Sequence, residues 1–164
     1  MKYAITGHTS GIGNALCNCL PDSKGFSKSL GYDITSNSGR KKIVEESQDC
    51  DVFINNAFDG FGQTLMLLDI FNSWKNTSKT IINVGSAVAE DNNILKNYEY
   101  LLEYQIQKKS LKILNYDLID LGYNVHIKYV WFGYVGTERI LKKYPDMAPN
   151  NYITVQEAIN KILL

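Results

Sequence analysis

The stretch Tyr3-Ala4-Ile5-Thr6-Gly7-His8-Thr9-Ser10-Gly11-Ile12-Gly13 decides the fold of this chain. Lys2 to Thr6 reads as a short buried strand, and Gly11 to Leu20, with its apolar residues at helical spacing, reads as a helix. Between them the glycines permit what other residues would obstruct. Gly7 allows a tight turn, Gly11 leaves the backbone bare for a pyrophosphate, and Gly13 lets the helix lie close to the sheet with its first amides facing the anion. The spacing is a variant of G-x-G-x-x-G, with three residues rather than one between the first two glycines. Thr9, Ser10 and Ile12 belong to the same loop, while His8 reads as a solvated turn side chain.

Outward from this loop, apolar runs alternate with helix-length amphipathic stretches, the pattern of a parallel sheet covered on both faces. Further strands are expected at Gly25 to Lys28, Leu30 to Asp33, Asp51 to Asn55, Thr80 to Val84 and Asn124 to Trp131. Further helices are expected at Gly39 to Ser47, Phe61 to Trp74, Asn92 to Leu121 and Thr154 to Leu164. Leu111, Leu114, Leu118 and Leu121 give the long helix an apolar stripe. Lys142 to Asn151, with Pro145 and Pro149, reads as a long surface loop. The expected architecture is α/β, a Rossmann-like doubly wound parallel sheet of about six strands in one domain spanning residues 1–164.

Composition narrows the function classes. The chain has 164 residues, 45% of them hydrophobic, and 17 Lys plus Arg balance 17 Asp plus Glu. A core of useful size is therefore available, and there is no cationic excess for a nucleic acid or an anionic membrane. Cys17, Cys19 and Cys50 are too few for a disulfide framework, which points to a reducing, cytoplasmic setting. No apolar run approaches a membrane span, and no leader is expected at the N-terminus. No His, Cys or carboxylate spacing implies a metal, and His126 reads as structural.

Chemistry enters with Tyr104-Gln105-Ile106-Gln107-Lys108, the one Y-x-x-x-K of the chain. On a helix the two side chains project from one face, about 5–6 Å apart at Cβ. An ammonium there would favour the phenolate and make the phenol a usable acid or base near neutral pH. Ser86 follows the strand Thr80 to Val84 at the carboxyl edge of the sheet, where open α/β folds bind ligands.

These motifs, in this order, resemble those of the short-chain dehydrogenase/reductase family, and the resemblance runs the length of the chain. Thr6-Gly7-x-x-x-Gly11-Ile12-Gly13 resembles the family's cofactor loop, Asp33-Ile34 the pair beside the adenine, and Asn55-Asn56-Ala57 the strand end that lines the cofactor cleft. Ile82-Asn83-Val84-Gly85-Ser86 resembles the strand carrying the catalytic serine, and Tyr104 with Lys108 the catalytic pair. Phe132-Gly133-Tyr134-Val135-Gly136-Thr137 resembles the Pro-Gly-x-x-x-Thr segment at the nicotinamide, with Phe132 in place of proline. The resemblance implies cofactor contacts from Gly7, Thr9, Ser10, Gly11, Ile12, Gly13, Asp33, Ile34, Asn56, Ala57, Tyr104, Lys108, Gly133, Val135 and Thr137. It also implies a hydride exchanged between nicotinamide and a carbonyl or alcohol, and a homodimer formed by the long catalytic helix and its neighbour.

The chain is shorter than typical members. Too few residues separate Phe26 from Asp33 for the usual intervening helix, and the usual final strand after Ile153 to Ala158 is expected to be missing. The start of the helix bearing the family's catalytic Asn is abbreviated, which brings Asp59 to that position by counting. The interval from Ser86 to Tyr104 is long and implies an insertion near Glu90 to Asn93. After the second strand, Ser27, Lys28 and Ser29 supply hydroxyls and a cation with no carboxylate before Asp33, which favours NADP(H) over NAD(H). The alternative to an enzyme is a minimal NAD(P)-binding protein acting as a sensor or interaction module.

Overall fold

The computed structural model describes every residue except Asn92 and Asn97. Five of the apolar runs become strands of one parallel sheet: β1 (Tyr3–Thr6), β2 (Ser23–Phe26), β3 (Val52–Asn55), β4 (Thr80–Val84) and β5 (His126–Val130). Their order is β2-β1-β3-β4-β5, so the winding reverses between β1 and β3. That reversal opens a crevice at the carboxyl ends of the two strands.

Helices α1 (Gly11–Cys19), α2 (Asn37–Glu46), α3 (Gly62–Trp74) and α4 (Leu102–Asp120) connect or flank these strands, followed by the short α5 (Glu138–Lys143) and by α6 (Val155–Leu163). Period-two alternation of the strand residues assigns each to a face. Ala4, Phe53 and Ile81 pack with Ile43 of α2, Met66 and Ile70 of α3, and Leu111 of α4. Ile5, Ile54 and Ile82 pack on the opposite face with Leu16 of α1 and Ile159 and Ile162 of α6. The core thus lies in two layers on either side of the sheet, the doubly wound α/β class expected from the sequence.

Local signals explain the helix boundaries. The Ser36 hydroxyl caps α2 by accepting from the Gly39 amide at 3.0 Å. Thr154 and Glu157 form a reciprocal capping box at α6. Thr137 caps α5 through the Ile140 amide.

Three expectations are corrected. Leu30 to Asp33 forms no strand: a 3-10 turn occupies Lys28–Leu30 and Gly31 follows at φ 85°. A parallel neighbour to β2 needs a crossover of about 10–12 residues or more, and the chain between Phe26 and Asp33 is too short for one. The main sheet therefore has five strands rather than about six, with β2 at its edge. The long helix starts at Leu102, after 3-10 turns at Ile94–Lys96 and Glu99–Leu101, and its expected first residue, Asn92, lies outside the described residues. Asp91 explains part of the delay, because its carboxylate accepts the Asn93 amide at 2.8 Å and turns the chain. The expected surface loop is partly structured: α5 reaches Lys143 and a 3-10 turn occupies Pro149–Asn151, after which Tyr152–Ile153 forms a strand, β7, paired in parallel with β6 (Tyr134–Val135).

Candidate active site

The crevice is built first from backbone. Gly7 and Gly11 take φ values of 75° and 52°, which L side chains rarely adopt. A Cβ on Gly13 would lie 2.2 Å from the Gly7 carbonyl oxygen, so glycine is required for α1 to start this close to β1. Ser10, at the N-cap of α1, makes no side-chain cap, which leaves first-turn amides of the helix to face an anion. Thr6 braces the other wall. Its Oγ1 accepts from the amides of Asn56 and Ala57 at 3.0 and 2.9 Å, while Asn56 Nδ2 donates to the Thr6 carbonyl at 3.0 Å. Thr9 and Ser10 are exposed, and Ile12 packs against the core.

Residues far away in sequence close the same crevice. Thr137 approaches Gly11, its Cγ2 3.5 Å from where a Gly11 Cβ would stand. Phe132, in the place of proline, is buried and its carbonyl accepts the Ala87 amide at 2.7 Å, so it anchors the segment that carries Gly133, Val135 and Thr137. Val135 is buried in the same layer, whereas Gly133 is exposed.

Ser86 and Tyr104 meet as expected. Ser86 caps a 3-10 turn at Ala87–Ala89, and its hydroxyl lies close enough to the Tyr104 phenol to favour the phenolate. Phe58 stands edge-on to Tyr104, with ring centroids 4.9 Å apart. Burial pushes the Tyr104 phenol above its ordinary value; the Ser86 hydroxyl and the positive charge of Arg139 act in the opposite direction without prevailing.

Lys108 is held differently from what a Tyr-Lys pair alone implies. Its ammonium donates to Gln63 Oε1 at 2.7 Å and to the Val84 carbonyl at 3.2 Å, and lies 4.8 Å from the Phe58 ring centroid and 5.9 Å from that of Tyr104. All of these partners are neutral, so burial alone lowers the Lys108 pKa, to about 7.

Gln63 is the residue that sequence reasoning missed. Its Nε2 donates to the carbonyls of Asn55 and Val84 at 2.7 and 2.9 Å, and Asn55 Nδ2 returns a bond to the Gln63 carbonyl at 2.9 Å. Asn55 also bonds Asn83, and Asn83 bonds Asn115, so a buried amide ladder runs under the crevice from α3 to α4. The available signal was a polar side chain on the inward face of α3, and asparagines inside two strands otherwise apolar.

Asp59, expected at the position of the family's catalytic Asn, is not at Lys108. Its carboxylate lies 2.9 Å from the Lys28 ammonium, on the exposed side of the loop before α3, because Gly62 starts the helix three residues later and turns Gln63 inward. Lys28 also approaches Asp33 at 3.3 Å, so the cation expected to stand alone is paired with two carboxylates. Asp33 accepts from the Thr35 amide and hydroxyl as well; those bonds, with Lys28, hold its carboxyl below the usual range. The hydroxyls of Ser27 and Ser29 lie 3.0 Å apart beside Lys28. Ile34 turns its side chain into the core, against the start of α3.

A parallel sheet in this order with a glycine loop at its switch point is the fold of the solved short-chain dehydrogenases/reductases. Among solved structures, the 3-alpha-hydroxysteroid dehydrogenase of Pseudomonas sp. B-0831, complexed with NADH, superimposes with a TM-score of 0.74 at 18% identity, covering 99% of this chain and 88% of that one. A short chain dehydrogenase from Burkholderia cenocepacia J2315, in complex with NADP, gives 0.76 at 17% identity, with 99% and 84% covered. A small-chain dehydrogenase in complex with NADPH gives 0.76 at 12% identity, with 99% and 89% covered. No protein-family model and no curated protein sequence matches the chain. Among the described residues no helix is long and apolar enough to cross a membrane.

Proposed function

We propose that the protein is a cytoplasmic NADP(H)-dependent oxidoreductase that moves a hydride between nicotinamide and the carbonyl or alcohol carbon of a small molecule, with Tyr104 as the acid or base. The observation that carries this reading is the buried Lys108 ammonium, bonded to the Val84 carbonyl at the carboxyl end of β4 and 5.9 Å from the Tyr104 ring, with the Ser86 hydroxyl beside the Tyr104 phenol. The crevice fits the cofactor: Gly7, Gly11 and Gly13 present no Cβ at the turn, and α1 begins without a side-chain cap. Neighbours of the same fold are described with NADH, NADP and NADPH, which supports a nicotinamide cofactor. When bound, the nicotinamide supplies or takes the hydride.

The chain's own residues do the rest. Gly7, Thr9, Ser10, Gly11, Ile12 and Gly13 hold the pyrophosphate side, Asn56 and Ala57 the wall, and Gly133, Val135 and Thr137 the carboxamide side. Ser86 donates to the substrate oxygen as negative charge develops there, and Tyr104 delivers or removes the proton at that oxygen. Lys108 orients toward the ribose from a seat fixed by Gln63, which takes the part expected of Asp59. Ser27, Lys28 and Ser29 favour a 2′-phosphate: the Lys28 pairs with Asp33 and Asp59 are exposed, screened by salt, and open to exchange for a stronger anion. Leu65 and Leu68 of α3 and Ile106, Ile113 and Ile119 of α4 are exposed, which supports a homodimer through these two helices.

The test is calorimetric titration with NADPH and NADH, followed by turnover of a panel of carbonyl compounds by wild type and Tyr104→Phe. NADPH binding with turnover that falls on the order of 100-fold or more in the variant, at unchanged cofactor affinity, is the expected result. Binding without turnover of any carbonyl would replace the enzyme with the sensor reading. No binding of either nucleotide would end both.

A further inference from the structure

One aromatic side chain touches both members of the Tyr-Lys pair, and the reaction as described gives it no part. The Phe58 ring stands edge-on to Tyr104, with centroids 4.9 Å apart and planes at 87°. The Lys108 ammonium lies 4.8 Å from the centroid of the same ring, nearer than its 5.9 Å to Tyr104. A ring at this range attracts a cation through the negative potential of its face, and does so more strongly where water is kept away. Lys108 is 4% exposed, so the contact is made in such a place.

The loop between β3 and α3 puts the ring there. Before it, the Ala57 amide is anchored to Thr6 Oγ1 at 2.9 Å. After it, the Asp59 carbonyl accepts the Gly62 amide at 2.9 Å, the Asp59 carboxylate pairs with Lys28, and Gly60 turns the chain at φ 53°. Phe58 keeps 43% of its surface exposed, and among the described residues it belongs to neither apolar layer of the core. Burial in the core therefore does not account for its position, whereas contact with Tyr104 and Lys108 does.

An ammonium carries three protons, and Lys108 gives two of them, to Gln63 Oε1 and to the Val84 carbonyl. Among the described residues the elements around it add no countercharge. The helix α3 presents the Gln63 amide, β4 a carbonyl, the loop the Phe58 ring, and α4 the Tyr104 phenol, which burial keeps neutral. Asp59 is turned to Lys28, and Lys112, one turn further along α4, pairs with Glu90. Burial thus works against the charge with no carboxylate to offset it. The face of Phe58 offsets part of that penalty without taking the third proton as a carbonyl would, which leaves the proton to an arriving hydroxyl.

We propose that Phe58 is a positioning residue for Lys108: its ring face holds the ammonium charged beside Tyr104, with one donor left for a cofactor or substrate oxygen. This rests on the oxidoreductase reading above and deepens the account of the same site.

The experiment begins with a readout that needs neither turnover nor nucleotide. The protein is prepared with isotopically labelled lysine, and the Cε resonances are followed by NMR against pH, with Lys108 assigned by the signal lost in Lys108→Met. Its titration midpoint is compared in wild type, in Phe58→Leu, which keeps the apolar bulk, and in Phe58→Tyr, which keeps the ring face. Expected is a midpoint lower by about 0.5 pH unit or more in Phe58→Leu, and within about 0.2 pH unit of wild type in Phe58→Tyr. The alkaline limb of kcat, measured with NADPH and a carbonyl compound that wild type turns over, should move down by the same interval in Phe58→Leu and return in Phe58→Tyr. An unchanged or raised midpoint in Phe58→Leu overturns the inference even where the melting temperature falls, since lost packing alone lowers stability without moving the titration. A midpoint lowered equally in both variants overturns it too, as does a lowered midpoint with an unmoved kcat limb. A wild type that turns over no carbonyl compound overturns instead the oxidoreductase reading on which the inference rests.

Discussion

Two lysines at opposite ends of the crevice show how differently one side chain can be used. Lys108 lies buried near Tyr104 with only neutral oxygens as hydrogen-bond partners, and its pKa falls to about 7. Lys28 stands in solvent at the edge of β2 between Asp59 and Asp33, and hydrogen bonds to those carboxylates raise its pKa. Burial fixes the first in one position at a cost in charge stability, whereas pairing in water leaves the second free to change partners. The proposed catalytic role of Lys108 would profit from the former and the proposed 2′-phosphate contact of Lys28 from the latter.

The contrast breaks most severely at Gln63. Replacing it by leucine takes away the closest partner of the Lys108 ammonium and leaves the Asn55 and Val84 carbonyls without its amide. Urea unfolding of Gln63→Leu at pH 6 should show a loss of about 3–5 kcal/mol, the scale for stranding a buried charge. A loss near zero would mean that the ammonium is already solvated or neutral.

The depressed Lys108 pKa sets a pH dependence of definite sign. Between about 7 and the ordinary lysine value of 10.5, the unfolded chain binds a proton at this position that the folded chain has released. Stability contributed by this group therefore rises with pH across that window. Urea midpoints measured from pH 7 to 10 should climb more steeply in wild type than in Lys108→Met, and equal slopes would place the Lys108 pKa at its normal value. The same titration removes the ammonium above pH 7, so carbonyl reduction should decline along that limb.

At the other lysine the expected effect falls on binding alone. Lys28→Asp should weaken NADPH by about tenfold or more while leaving NADH and the thermal midpoint nearly unchanged, as calorimetry and a melting curve would report. Equal weakening of both nucleotides would show that Lys28 does not read the 2′-phosphate. The smallest effect belongs to the helix face: light scattering should give twice the chain mass for wild type and a single chain for Ile113→Glu, with the cofactor still bound.

Much of the crevice is legible in the order of residues alone. Strand, glycine turn and helix are written in Ile5 to Gly13, and their steric logic survives to the 2.2 Å clash that any Cβ at Gly13 would cause. The convergence of Ser86 and Tyr104 also follows from the sequence, because one ends a strand at the sheet's carboxyl edge and the other lies on the helix beside it. The stretch Leu30 to Asp33 misleads because four residues of mixed polarity carry no information about whether a crossover can reach the sheet edge.

The sequence by itself determined the strand-helix alternation, the two apolar faces of the sheet and the glycine turn, since each depends on residues near one another along the chain. Only the tertiary structure decided that Gln63 rather than Asp59 meets Lys108, that Lys28 shares two carboxylates, and that Thr137 closes on Gly11. Those groupings join segments tens of residues apart, and which polar atoms meet there is set by helix start points and loop paths to within an ångström or two. Periodicity records which way a side chain faces, but not which partner stands opposite it.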